Sequence, residues 1–493
     1  MKEYTLGIDI GTSSIKLVLI EASGKVVSAV TRRCFVESPK PGWSESDPIQ
    51  WWAQTLKGLK ELWEHSHISP SAVKGVGLTG QMHGLVLLDK RGGVIRPCIL
   101  WNDRRAADEC DFITETVGHE ELINITGSSI VPGIVAPKLA WVRENEARAY
   151  GAIAHVILPK DYIRYRLSGE IGTDVTDASG TGFFDIEKRA WSDRMVEACG
   201  VPHSWLPQVS ESQEVMGRVN AESSEQTGLP VGTPISAGAG DQPANGVGSG
   251  VVSEGVVSVS LGTSGAILSQ RDSYCPDLKG RVQTYCHAVP GKWQTMGVML
   301  CAAGSVAWLS DILGMVYSEM DTLAGSVAPG SDGLLFLPYL SGERAPYNDS
   351  SARGSFVGLT LQHEAKHMIR AVLEGVAYGL RDSFNVLAEL GVSFDEVTLS
   401  GGGSRSALWS SIVASTLAHD LHYLPLNEGA AYGAALLATV GAGFYPSIEV
   451  ASKSTLHRKG VALPDPQLSK CYKQSYSLYQ ACYPGLKDVF SKL

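Results

Sequence analysis

The feature that most constrains this chain is a turn that it carries twice. GIDIGTSSIKLVLI (7–20) sets Gly11-Thr12-Ser13 between two runs of β-formers, and half a chain later SVSLGTSGAILS (258–269) sets Gly262-Thr263-Ser264 in the same context. Tyr4, Leu6, Ile8 and Ile10 alternate before the first turn, and Ile15, Leu17, Val18, Leu19 and Ile20 come after it. Apolar runs on either side of a short glycine-containing turn predict an antiparallel hairpin. A third strand is expected over 26–31, and residues 256–261 and 266–269 supply the second hairpin.

The elements after each hairpin repeat as well. In the first half Asp47-Pro48-Ile49-Gln50 reads as a helix start, with Asp at the N-cap, proline at N1 and Gln at N3. Ile49, Trp52, Leu56, Leu59 and Trp63 come at steps of three and four and predict one apolar face. Strand 73–78 then runs into Thr79-Gly80-Gln81-Met82-His83-Gly84. In the second half a helix over 364–390, with Ile369, Val372, Val376 and Leu380 on its face, precedes strand 397–399 and the loop Ser400-Gly401-Gly402-Gly403-Ser404-Arg405. One order of elements used twice implies two α/β domains built on one plan, with a cleft between them. The glycine-rich stretch 238–250 is the natural junction, giving an N-terminal domain, 1–246, and a C-terminal domain, 247–493.

A turn of Gly, Thr and Ser presents backbone N–H groups and hydroxyls with little side chain in the way, which suits a phosphate. Two such turns facing across a cleft would hold a phosphate chain from both sides. Only one side then needs a carboxylate for Mg²⁺, direct or through water, which accounts for Asp9 where the second copy has Ser260. The alternative is two plain hairpin turns, with Asp9 bonding its own turn amides. Recurrence in matched context favours the first reading. No G-x-x-x-x-G-K-S/T motif occurs, which excludes a P-loop.

The loop Gly401-Gly402-Gly403-Ser404-Arg405 precedes a helix over 407–418, a place where backbone can approach a flat ring or a phosphate, or simply turn for packing. The small-residue run 428–435 predicts a closely packed structural helix. Asp241 ends strand 234–239; it reads either as an N-cap or as a general base that takes the proton of a hydroxyl attacking a γ-phosphate. Gln81 and His83 beside Met82, with Trp101, Asn102 and Asp103, would make a polar wall with one aromatic face, suited to a polyhydroxylated ligand. A lone His such as His83 is more often structural than catalytic, and nothing has metal-ligand spacing.

Composition removes several classes. A chain of 493 residues exceeds one core. No apolar run approaches the roughly 18–20 residues that cross a bilayer, so no membrane partner is expected. MKEYTLGIDI enters a strand pattern at once, unlike a signal peptide. Nine cysteines without a C-x-x-C pair suit reduced thiols in a cytoplasmic protein. A net charge of −10 argues against a nucleic-acid partner, while small anions held by local amides stay open.

Together these residues resemble the FGGY carbohydrate kinases, within the actin-like, hexokinase-like and ribonuclease H-like fold. Gly354-Ser-Phe-Val-Gly-Leu359, His367-Met368 and Ala371-Val-Leu-Glu374 fit the family's C-terminal signature. Gly133-Ile-Val-Ala-Pro-Lys-Leu-Ala-Trp141 resembles its N-terminal one, departing at Val135, where a small polar residue or proline is usual. GQMHG (80–84), ILWND (99–103), LPKDY (158–162) and LPYLSGER (337–344) are similar to the family's ketopentose-phosphorylating branch. The resemblance implies an ATP- and Mg²⁺-dependent kinase for the terminal hydroxyl of a ketopentose, D-xylulose at O5 first, with ribulose, another ketose or a pentitol as alternatives. It implies Asp241 as base, Asp9 at Mg²⁺ and the γ-phosphate, and Gln81, Met82, His83, Trp101, Asn102 and Gln242 around the sugar. It places ATP at Gly11, Thr12, Ser13, Gly262, Thr263, Ser264, Gly401, Gly402, Gly403 and Arg405, and a homodimer is common in the family. One position departs: Gln242 comes after Asp241 where that branch usually has Asn. The family's glycerol kinases carry Gln there, but have Arg-Glu in place of Met82-His83. A rival from another class, an actin- or chaperone-like ATPase that drives protein binding, has no use for Asp241 or the sugar wall.

Overall fold

The computed structural model describes residues 2–424 and 428–493. Each half is built on a sheet whose core has the same strand order. In the first, Val26–Arg33, Ser14–Glu21 and Tyr4–Ile10 run antiparallel, and Val73–Gly80 and Pro234–Ser236 extend the sheet in parallel beyond Tyr4–Ile10. In the second, Trp293–Met299, Gly265–Arg271, Val256–Leu261, Glu396–Ser400 and Leu421–Tyr423 take the same five places. This is the duplicated actin-like arrangement that the repeated turns predict.

Register carries the turns to one end of each sheet. Ile10 and Gly240 both pair with Gly80, and Ser260 pairs with Ser400. Turn 11–13, loop 81–84 and Asp241 therefore leave the first sheet together, as turn 262–264 and loop 401–405 leave the second.

Alternation along the strands decides what covers each face. Leu6, Ile8, Ile10, Leu17, Leu19, Val76 and Leu78 share one core with helix Pro48–Ser66. The opposite face is made of small residues, and helix Gly429–Gly441, from the far end of the chain, lies on it. A Cβ at Gly7 would come 2.0 Å from the carbonyl oxygen of Ala431, and one at Gly77 1.8 Å from that of Ala434. Thr5 Oγ1 donates to Ala435 O at 3.0 Å. The same helix presses on helix Asp241–Gly248, where a Cβ at Gly433 would come 1.9 Å from Ala244 O. The small-residue run thus packs closely, as expected, but against the first sheet. The division at 246/247 falls inside helix Asp241–Gly248, on which Gly429–Gly441 packs.

Helix Pro48–Ser66 starts as expected, with Asp47 accepting the N–H of Ile49 at 2.9 Å. Its buried face includes most of the predicted one and is broader: Trp52 and Leu59 are buried and Leu56 and Trp63 pack against the core, Trp51, Thr55, Gly58 and Leu62 are buried beside them, and Ile49 is 56% exposed. The breadth comes from Gly58, whose Cβ would lie 2.5 Å from Leu17 Cδ1: the helix settles onto the strand along its smallest residues. Helix Ala365–Glu389 is buried over most of its circumference and carries Ile369, Val372, Val376 and Leu380 into the second core. All nine cysteines are free. Among the described residues no helix is long and apolar enough to cross a membrane.

Candidate active site between the lobes

Asp241 is the first residue of helix Asp241–Gly248, and Gly240 takes the N-cap place, so the N-cap reading of Asp241 fails. The backbone N–H groups of Gln242, Asp241 and Met82 and the side-chain amide of Gln242 act on its carboxylate and favour the charged form. Burial outweighs these donors and pushes the carboxyl up to about 6. Behind it, the N–H of Gly240 donates to Thr176 Oγ1 at 2.9 Å, which donates to Asp174 at 2.6 Å. Asp174 also accepts Ser212 Oγ and faces Lys160 Nζ at 2.9 Å. Lys160 meets Asp161 at 2.7 Å and Asp177 at 3.2 Å, and Arg164 meets Asp161 at 3.2 Å, all fully buried. Burial, then the like charges of Asp174 and Asp161, hold the Asp177 carboxyl well above its usual range, and a proton there balances two cations against three carboxylates. Sequence reasoning missed this network. Lys160 and Asp161 lie on helix Pro159–Ser168, Asp174 on strand Gly172–Asp174 and Asp177 on helix Val175–Ser179, and no period links them.

His83 sits at φ 70°, with Nδ1 2.7 Å from Gly180 O. Burial pulls its pKa down to about 4, and the Lys138 and Arg344 charges act the same way. The ring is therefore neutral, donating Nδ1–H to Gly180 and leaving Nε2 as an acceptor. Met82 is buried against Gly240. Lys138 Nζ, fully buried, donates to the carbonyls of His83 at 2.5 Å, Ile99 at 3.0 Å and Leu100 at 3.3 Å, tying loop 81–84 to loop 98–103.

Trp101 Nε1 donates to Thr12 Oγ1 at 2.9 Å, and Thr12 Oγ1 donates to Gln81 Oε1 at 3.0 Å. This chain joins the first phosphate-type turn to the polar wall and leaves Gln81 Nε2 buried without a partner. Asn102 is exposed and makes no side-chain hydrogen bond among the described residues. Asp103 is not part of the wall. A buried carboxylate needs donors, and it takes the Ser44 N–H at 2.6 Å and the Arg105 guanidinium at 2.7 Å, which anchors the loop from behind.

Asp9 does not bond the amides of its turn: Gly11 N–H goes to Ser14 O at 3.0 Å, and Asp9 Oδ1 is buried with no partner. Burial and the charge of Asp241 push its carboxyl up to about 7, with Lys16 pulling it down. Lys16 faces Asp9 on the next strand and reaches Glu428 across the lobes. An orphaned carboxylate oxygen beside a phosphate-type turn is the hard donor that Mg²⁺ takes, so the residues fit such an ion. Among the described residues no cluster of three His, Cys, Asp or Glu exists, so substrate oxygens and water would complete its shell.

On the second lobe the turn carbonyls are consumed. Thr263 O accepts the N–H of Ala302 at 2.8 Å and Gly304 at 3.0 Å, and Gly262 O accepts that of Ala303 at 2.9 Å. Thr263 and Ser264, like Ser13 opposite, are exposed. Gly401, at φ 90°, would bring a Cβ 2.6 Å from Leu261 O, so the glycine loop is held against the turn. Gly262, Thr263, Gly402, Gly403 and Arg405 open onto one cleft of about 670 Å³, backed by Leu373 and Trp409. An apolar floor with a glycine rim and one cation suits a flat ring carrying phosphates.

The chain matches the FGGY family of carbohydrate kinases, N-terminal domain, over residues 4–248 and C-terminal domain over 257–442. It belongs to that family. As an FGGY kinase it uses ATP and a sugar as substrates. It is 39% identical to a xylulose kinase of Escherichia coli over 99% of this chain and 100% of that one. A crystal structure of xylulose kinase from Rhodospirillum rubrum superposes with a TM-score of 0.92 at 33% identity, covering 99% of this chain and 100% of that one. A gluconate kinase from Lactobacillus acidophilus reaches 0.94 at 25% identity, with both chains covered in full. The FGGY fold therefore does not by itself choose the sugar.

Proposed function

We propose that this kinase transfers the γ-phosphoryl group of ATP to O5 of D-xylulose, with Asp241 as the proton acceptor. The observation that carries the reading is the place of the Asp241 carboxylate, at a helix start where strand register brings it out of the first sheet beside turn 11–13 and loop 81–84, and burial pushes its carboxyl up to about 6. The names of the E. coli and R. rubrum relatives support the choice of sugar. Neutral His83 would accept a sugar hydroxyl at Nε2, Gln81 Nε2 would donate to a sugar oxygen, and Trp101 would cover a C–H face. Asp241 would hold the attacking hydroxyl in line and take its proton late, because phosphoryl transfer depends mainly on positioning and charge neutralisation. Asp9 would hold Mg²⁺, which supplies neutralising charge to the phosphate oxygens. The turns 11–13 and 262–264 would hold the phosphates from both lobes, and the adenine would lie along 401–403 with Arg405 at the rim.

Ribulose, another ketose or a pentitol is the second reading, carried by Gln242, whose amide lies on the Asp241 carboxylate at the edge of the sugar site. ADP release with ATP and Mg²⁺ across D-xylulose, L-xylulose, both ribuloses, glycerol, gluconate and pentitols separates the two. D-xylulose should give the highest kcat/KM, with NMR placing phosphate on O5. Asp241→Ala should lower kcat by roughly 10²–10⁴-fold with ATP binding kept. Retention of a tenth of the turnover would remove Asp241 from the base role.

A further inference from the structure

Two polar groups of the second lobe reach the first-lobe wall. Tyr285, on strand Gln283–Cys286, is 1% exposed, and its ring lies 6.2 Å from that of His83. Its hydroxyl is enclosed with no hydrogen bond within 3.5 Å, and the Ser128 side chain acts on it. The charges of Arg344 and Asp241 also act on it. The Arg344 guanidinium carbon lies 5.9 Å from the centroid of the Trp101 ring. Its charge also acts on His83, and among the described residues the guanidinium has no hydrogen bond and no ion pair. The backbone there is firmly held: Glu343 accepts the N–H of Arg344 at 2.7 Å and of Leu300 at 3.1 Å.

A buried hydroxyl, a largely desolvated guanidinium and the buried Gln81 amide, all unpaired around one histidine, require a ligand to satisfy them. Their chemistry states which. A guanidinium only donates, and in a fixed fork, whereas a carbonyl oxygen only accepts, with two lone pairs. At the other end Asp241 only accepts, which suits a hydroxyl. An open-chain ketopentose offers this polarity: a terminal hydroxyl at one end and, three carbons away, a carbonyl.

We propose that Arg344 and Tyr285 form the far wall of the sugar pocket and hold the carbonyl oxygen of a ketose, so that discrimination between a ketose and its reduced pentitols comes from the second lobe. In a pentitol that oxygen is a hydroxyl, which still accepts from the guanidinium but brings a proton that needs a further acceptor, and Arg344 supplies none. The inference rests on the reading of the first lobe as the site of the phosphoryl-accepting end.

The test uses the full-length protein and Arg344→Met, Arg344→Lys and Tyr285→Phe. Binding of D-xylulose and of its two reduction products, xylitol and D-arabinitol, is measured by calorimetry, beside kcat/KM for the ketose, KM for ATP and the melting temperature. Arg344→Met should weaken D-xylulose by roughly 10–100-fold, the range for losing a charged hydrogen bond, and Tyr285→Phe by roughly 3–10-fold. The pentitols should change by less than about threefold and KM for ATP should hold, so the preference for the ketose collapses. Arg344→Lys should recover little, because a point charge lacks the fork. Equal losses on ketose and pentitols, or a selective rise in KM for ATP, overturn the proposal. If Arg344→Met does not fold, Tyr285→Phe, which removes one oxygen, decides. A wild-type protein that phosphorylates no ketose sinks the xylulose reading itself. One that phosphorylates a ketose while Arg344→Met discriminates as wild type sinks only the far-wall assignment.

Discussion

Replacing Gln242 by methionine keeps the length of the side chain and removes the amide that favours the charged Asp241. The backbone N–H groups of Met82, Asp241 and Gln242 still act on the carboxylate. A hydrogen bond to an ionised group contributes about 1.5–3 kcal/mol, and 1.36 kcal/mol corresponds to one pKa unit. With the cleft partly open to water, about half of that is expected to act, which lifts the carboxyl from about 6 to roughly 7. The variant then holds its proton to higher pH, so activity that needs the carboxylate is lost first on the acid side. Its ionised fraction falls from about one half to about one tenth at pH 6, from about nine tenths to about one half at pH 7, and hardly at all at pH 8.5. Steady-state kcat/KM for the sugar, monitored by ADP release at constant ionic strength, should drop about fivefold, twofold and not measurably at those three values. A loss of equal size at every pH, with the order of preferred sugars changed, would refute this reasoning and place the Gln242 amide on the sugar.

Asp9→Asn should separate stability from activity. Its carboxyl is pushed from about 3.9 in the unfolded chain up to about 7 in the native protein, so the cost to stability builds up as pH rises from about 4 to about 7 and is complete above that. The variant should melt about 2–4 °C higher at pH 8, gain less than half of that at pH 5, and lose phosphoryl transfer; an equal gain at both values would exclude charge burial as the cause. His83→Ala should raise KM for the sugar about tenfold or more with KM for ATP within about twofold, and equal effects would remove His83 from the sugar side. Gly433→Ala puts a Cβ 1.9 Å from Ala244 O and should cost about 2 kcal/mol or more by urea denaturation; an unchanged midpoint would show that the crossing helices can part freely.

The repeated turn is readable because each copy is local: alternating strands, a glycine turn, and a parallel strand whose register carries its loop to the same end. Helix Ala365–Glu389 is readable for the same reason, since one run of spacing spans it. What local spacing misses is which neighbour an element meets. Spacing finds most of the apolar face of Pro48–Ser66 but counts the exposed Ile49 in it and leaves out Gly58, which lets the helix approach Leu17 closely. It puts Asp103 in the wall, although Arg105 two residues on draws that carboxylate away. Tyr285 and Arg344 carry no motif that points across the cleft, and their place emerges only once both lobes are built.

The helix that covers the small-residue face of the first sheet is Gly429–Gly441, encoded near the end of the chain. During synthesis the N-terminal half emerges with Gly7, Gly75 and Gly77 forming a bare groove, and it waits for the last part of the message before that groove can close. A product terminated before residue 429 would therefore lose both lobes and not one, and reach the cell's proteases with an open sheet. The packing joins the two halves: the first lobe is finished only by a helix that the chain reaches after strands Val256–Leu261 to Leu421–Tyr423 of the second.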